Sequence, residues 1–201
     1  MNRFLSLILA SLCAFAMMAG GDDINPSELD FESNLSLPVV PDKAASAVKT
    51  HMAKLAQALK KRNLDTDLYR NGEIVQIIIP CSELFAPNDT VLKEKGKKLM
   101  QPVSQILKSP TMYKVIIAVY SDDTGDDIYA DNLTDLRANA IDDFLTSIAE
   151  VADVNTVPYG MGRSSSRAPN TSITNRAYNR RVEIFIVPEW NMIKDARAGK
   201  L

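Results

Sequence analysis

Six carboxylates surround one glycine in SDDTGDDIYADNLTDLRA, residues 121–138, directly after the apolar run VIIAVY. Side chains of this type at this density support several chemistries. Asp123, Thr124 and Gly125 spell the DTG of aspartic proteases, in which two carboxylates share a proton and activate water. That chemistry needs a second such turn, or a dimer, in an all-β frame, whereas a helical pattern follows here. Calcium could bind converging oxygens, but the EF-hand order of alternating acids, a glycine and a closing glutamate is absent. Acids near a helix start also favour its dipole and solvate a turn, the preferred reading for Asp126, Asp127 and Asp131. The remaining reading makes one carboxylate a hook for a cationic ligand.

Other reactive types in the chain are sparse. Cys81 lies at the end of an apolar run and reads as a small apolar filler, because the sole histidine, His51, sits in a different, helix-like segment with the character of a surface residue. GMGRSS lacks the third glycine and following helix of a dinucleotide site, and it has no Walker lysine, so no cofactor is implied. A formal net charge of −2 offers no basic stripe for phosphates, which argues against nucleic acid as a partner.

The elements that must position the acidic turn follow from periodicity. Residues 1–21 read as an export signal: Asn2 and Arg3 open it, FLSLILASLCAFAMMAG is uncharged, and small residues at Ala19 and Gly21 precede the preferred cut. An uncleaved anchor, or a lipid on Cys13, are the other readings of this segment. Residues 22–41 are turn-rich and read as a tether. Over Asp42 to Arg62, Val48, Met52, Leu55 and Leu59 recur at helical spacing, so residues 42–70 are expected to hold an amphipathic helix and a connector. EIVQIIIP, YKVIIAVYS, VNTVPYG and RRVEIFIV read as strands. Between them, a helix is expected after an Asn88 or Asp89 cap, with Leu92, Leu99, Val103 and Ile106 on one face. Another is expected to start near Leu133 with Thr134 as its cap. The alternation of strands and helices predicts a two-layer α/β domain, βαβαββ, with a mixed sheet and helices on one face, over residues 71–187. Residues 188–201 read as a C-terminal tail.

Four pieces in order carry a resemblance: SDDTG, LTDLRA, GMG followed by Pro169 and Asn170, and NRRVEI at 179–184. Together they resemble the OmpA-like peptidoglycan-binding domain family, whose pattern is a strand ending in TD, a helix opening on LSxxRA, then GxG, and NRRVEI on the last strand. The resemblance implies an exported, non-catalytic module of the periplasm or the periplasmic face of the outer membrane. Its implied partner is peptidoglycan, gripped through the diaminopimelate of the stem peptide, and envelope proteins are further possible partners. Asp122 would take the ligand's ammonium and Arg137 its carboxylate, with helix N-terminal amides around Leu133 and Thr134 as extra donors. A zwitterion needs one anion and one cation held a few ångströms apart, and a guanidinium fork matches a carboxylate. Asp122 and Arg137 could equally close the turn as an internal salt bridge. Of Arg180 and Arg181, strand alternation lets only one face the ligand side, so both read first as sheet-edge or core pairing, and Arg181 is the one placed with the site. The chain departs from the pattern at Val119 for glycine, Ser121 for threonine, Ala130 for the asparagine three before LS, and Asn175 for a glycine. The Ala130 change removes a polar group expected near the ligand. The alternatives are a degenerate domain mediating protein contacts in the envelope and a hydrolase using the DTG turn.

Overall fold

The computed structural model describes residues 25–149 and 155–201. The expected signal over 1–21, with its cut and Cys13, lies outside the described residues.

Runs of β-branched residues with few breakers form the sheet. Its strands are β1 (Asp65–Tyr69), β2 (Ile74–Pro80), β3 (Tyr113–Tyr120), β4 (Thr156–Gly160) and β5 (Arg181–Pro188). They lie in the order β1-β2-β5-β3-β4. Only β3 and β4 run parallel, because α5 (Asp127–Ala149) crosses between them; the other pairs are antiparallel. The expected βαβαββ order is therefore present from β2 onwards. β1 adds an antiparallel edge strand from the stretch expected to be a connector.

Four helices cover one face: α2 (Asp42–Lys60), α4 (Glu94–Leu107), α5 and α7 (Trp190–Arg197), while α1 (Phe31–Ser36), α3 (Cys81–Leu84) and α6 (Ile173–Asn179) are short. Val48 and Met52 of α2, Met100 and Val103 of α4, Ile141 and Leu145 of α5, and Met192 and Ile193 of α7 bury against Val75, Ile77, Val115, Ile117, Ile184 and Ile186. Each such side chain contributes about 1.5–3 kcal/mol on leaving water. His51 is not a free surface residue, since its Nε2 lies 2.7 Å from the Tyr113 hydroxyl.

Three expectations change. The described part of the tether is docked on the sheet's second face. There Phe31 packs edge-on against Tyr159 and Phe185, and Leu35 is buried with Ile74 and Ile116. Asn34 reaches the Tyr159 hydroxyl, and the buried Lys114 ammonium donates to Asn34 Oδ1 (2.9 Å) and the Leu37 carbonyl (3.0 Å). So one face carries the four longer helices and the other a short N-terminal strap. The tail is also helical over α7, whose Met192, Ile193 and Ala196 complete the first core. Finally, α4 starts at Glu94, several residues after Asn88 and Asp89. The Asp89 carboxylate accepts from the amides of Thr90 (2.8 Å) and Val91 (3.0 Å), closing its own turn instead of capping a helix.

Candidate functional site

The acidic turn bends at Gly125, whose φ of +86° is a conformation that L side chains rarely adopt. From there α5 starts at Asp127, well before Leu133. Asp126 supplies the cap, its Oδ1 accepting from the Tyr129 amide at 2.7 Å. A better-placed carboxylate at the helix mouth wins over Thr134, which lies in the second turn.

This earlier start reassigns several residues. Thr134 is buried, with its hydroxyl donating to the Ala130 carbonyl (2.9 Å) and accepting from the Gly162 amide (3.0 Å). It ties α5 to the GMG loop, and the amides of Leu133 and Thr134 lie inside the helix, where they are committed to backbone bonds instead of being free for a ligand. The glycines of GMG are explained by the same contact: a Cβ on Gly160 would meet the Asp135 amide nitrogen at 2.5 Å, and one on Gly162 would meet Asp131 Oδ1 at 2.0 Å. Ala130 is fully buried and absent from the cavity lining.

Beside the turn lies a cavity of about 640 Å³. Asp122, Thr124, Gly125, Cys81, Phe85 and Ala86 line it, together with Leu133, Arg137 and Arg180. Asp122 and Arg137, fifteen positions apart in sequence, thus open on one space, and Leu133 adds an apolar surface. They do not form the internal salt bridge that sequence left open. Asp122 pairs with Arg180 Nη1 through Oδ2, and its Oδ1 accepts from the Thr124 amide at 3.0 Å. Burial pushes this carboxyl up, but the Thr124 bonds and the Arg180 guanidinium outweigh it and hold the group below its ordinary value.

Arg137 is fixed by a different set of partners. Its side chain donates from Nε to the Asp89 carbonyl (2.8 Å) and from Nη2 to the Ala86 carbonyl (3.2 Å), and its guanidinium sits over the Phe85 ring at 5.0 Å. The self-closing Asp89 turn is what presents those carbonyls. All these partners are neutral, so the guanidinium keeps its full charge towards the cavity. Cys81 next to it is buried, which raises its thiol to about 11; it stays protonated at neutral pH and does not offset that charge.

Arg181 does not belong to the cavity. It points to the second face of the sheet, buried, with Nε donating to Glu183 Oε1 at 2.5 Å and its guanidinium 3.9 Å from the Tyr120 ring centre. Alternation along β5 sends consecutive side chains to opposite faces, and Arg180, just before the strand, is the one that meets Asp122. Asn179 was also missed as a contributor. Its Oδ1 accepts from the amides of Arg167 (2.9 Å) and Ala168 (3.0 Å), and its Nδ2 donates to the Ala168 carbonyl (2.8 Å), which sets the loop ahead of Arg180. The sequence signal for both was the NRR triplet, in which Arg181 instead of Arg180 was placed with the site.

The remaining acids do not converge on a common point. Asp126 caps α5, Asp127 pairs with Arg163 at 2.8 Å on the surface, and Asp131 and Asp135 lie against the glycines of the GMG loop. Among the described residues Asp122 is the one acidic residue lining the cavity, so a proton-sharing carboxylate pair has no second member among them.

Residues 84–180 match the sequence model described as the OmpA family. The chain is 27% identical over 130 residues to YiaD of Escherichia coli strain K12, described as a probable lipoprotein; the match covers 64% of this chain and 58% of that protein. The chain spans about three fifths of the length of the curated relatives it matches. Among solved structures it is similar to a MotB-like protein from Desulfovibrio vulgaris, with TM-score 0.63 and 16% identity over 72% of this chain and 98% of that one. It is also similar to the cell wall anchor of the T6SS from Pseudomonas aeruginosa, with TM-score 0.57 and 23% identity over 69% and 97%. These likenesses establish the fold.

Proposed function

We propose that this protein, whose residues 84–180 match the OmpA family model, binds peptidoglycan non-covalently in the bacterial cell envelope, through the diaminopimelate of the stem peptide. The observation that carries the proposal is the cavity shared by the Asp122 carboxylate and the Arg137 guanidinium. Diaminopimelate ends in an ammonium and a carboxylate on one carbon, the pattern those two groups complement. The ammonium meets Asp122 Oδ2, and the carboxylate meets the Arg137 fork, preorganised by the Asp89 and Ala86 carbonyls and the Phe85 ring. Leu133 packs along the ligand's methylene chain.

The module works without catalysis in this reading. A lone carboxylate already engaged by Thr124 and Arg180, beside a protonated thiol, supplies neither a nucleophile nor a general base. An envelope location is supported by the relative described as a probable lipoprotein and by the shared fold of a protein titled a cell wall anchor.

Calorimetric titration with a disaccharide–tripeptide muropeptide ending in meso-diaminopimelate tests the proposal. Binding is expected in the wild type, and a loss of about tenfold or more in Asp122→Ala and in Arg137→Ala, the scale of one charge-assisted hydrogen-bonded contact. Equal binding in both variants would remove these residues from the site, and release of cleaved muropeptide would overturn the non-catalytic assignment.

A further inference from the structure

Asp122 and Arg137 are held in different ways. Arg137 is buried and locked by two carbonyls and an aromatic ring, so it cannot leave its wall. Asp122 is buried too, and its Oδ1 is taken by the Thr124 amide. The remaining oxygen, Oδ2, is covered by Arg180 Nη1. A ligand ammonium reaching for that oxygen therefore finds a cation already in its seat.

Arg180 is built to vacate the seat. Its backbone is fixed at both ends, the amide donating to the Arg176 carbonyl (3.0 Å) and its own carbonyl accepting from the Cys81 amide (3.0 Å). Its side chain is 41% exposed, and among the described residues Asp122 is its one side-chain hydrogen-bond partner. The Arg180 guanidinium is solvated and loses little by swinging into water, whereas the Asp122 carboxylate is 3% exposed and needs another cation in its place. With Arg180 paired, the carboxylate is neutralised from within; with it swung out, Asp122 presents a net charge to the cavity.

We propose that Arg180 is an internal competitor for Asp122, which a ligand ammonium must displace, so that it sets the threshold and selectivity of the site instead of adding a contact to the ligand. The inference rests on the diaminopimelate reading and deepens it. Displacement makes the site discriminate by the strength of the incoming cation: a ligand lacking the ammonium leaves Arg180 in place and binds without the Asp122 contact.

The test titrates the wild-type protein, Arg180→Gln and Arg180→Lys with the same muropeptide, and with that muropeptide acetylated on the free amine of its diaminopimelate. Arg180→Gln is expected to bind the free-amine muropeptide about fivefold more tightly, the scale of an ion pair exposed on one side, and the acetylated one with unchanged affinity. Arg180→Lys, which keeps a cation, is expected to stay near the wild type. Weaker or unchanged binding of the free-amine ligand by Arg180→Gln, beside a wild type that binds, would overturn the competitor role while leaving the peptidoglycan reading intact. A gain for both ligands would overturn it as well, since the effect would not depend on the ammonium. No binding by the wild type with binding by Arg180→Gln would support it, and no binding by any of the three would sink both readings.

Discussion

Arg180 and Arg181 are neighbours in sequence and each meets a carboxylate, yet their surroundings differ. Arg181 is 4% exposed and held by Glu183, two carbonyls and the Tyr120 ring; Arg180 is 41% exposed and held by Asp122. Glu183 in turn accepts from Gln76 at 2.7 Å and lies 3.5 Å from Arg167, so the buried pair is one part of a network on the second face. A buried pair with every donor satisfied is costly to break and rigid, while a pair reaching into a cavity is cheap to open and can exchange partners.

The contrast predicts unequal responses to the same lesion. Glu183→Ala strands the Arg181 charge in the interior and is expected to cost about 3 kcal/mol of stability, visible as a lowered midpoint in chemical denaturation; a loss under about 1 kcal/mol would show the network to be dispensable.

A second buried cation tests the same face through pH. Burial brings the Lys114 ammonium down to about 8, against Glu189, which favours its charge. A lysine whose folded value lies below its unfolded value of about 10.4 leaves the unfolded state holding more protons between the two, so stability is expected to rise with pH across that window. The expected gain is about 1 to 2 kcal/mol from pH 8 to 9.5. Lys114→Met should lose that slope in denaturation curves measured at each pH, and an equal slope in the variant would assign it to other groups.

Smaller effects belong to the cavity side. Asp122→Asn frees a half-exposed Arg180 and is expected to change stability by less than about 1 kcal/mol in the same denaturation assay, a mild counterpart to Glu183→Ala. Because the Asp122 carboxyl is held below its ordinary value, its stabilising contribution is present above the unfolded value of about 3.9 and is lost as pH falls through the lower folded one. Muropeptide affinity is accordingly expected to be flat from pH 7 to 5. Asp127→Asn breaks only a surface pair and should move the denaturation midpoint by no more than about 0.5 kcal/mol equivalent. A larger shift would mean that the turn's outer acids do more than solvate it.

Much of the fold was legible because its signals are local. The runs at 74–80, 113–120 and 181–188 are long and β-branched, and α2 and α5 have regular apolar spacing. What escaped was either short or decided by competition. Phe31 and Leu35 make a stripe too brief to register, and they are fixed only by Tyr159, Phe185 and Ile116 from distant strands. Asp89 and Thr134 are good caps by type, but Asp89 closed its own turn and Asp126 capped the helix first.

The same division holds at the site. By itself the sequence determined which residue types are available at each end of the cavity: a carboxylate after β3, a glycine bend, an arginine on the following helix and an NRR triplet before the last strand. Tertiary structure alone decided their partners. Asp122 meets Arg180 and not Arg137 because β5 lies beside β3 in the sheet, and Arg137 is anchored by a loop nearly fifty residues upstream. Residue identity sets the charge that a position can carry. Which opposite charge stands within reach is a property of strand order and register, and no local spacing encodes it.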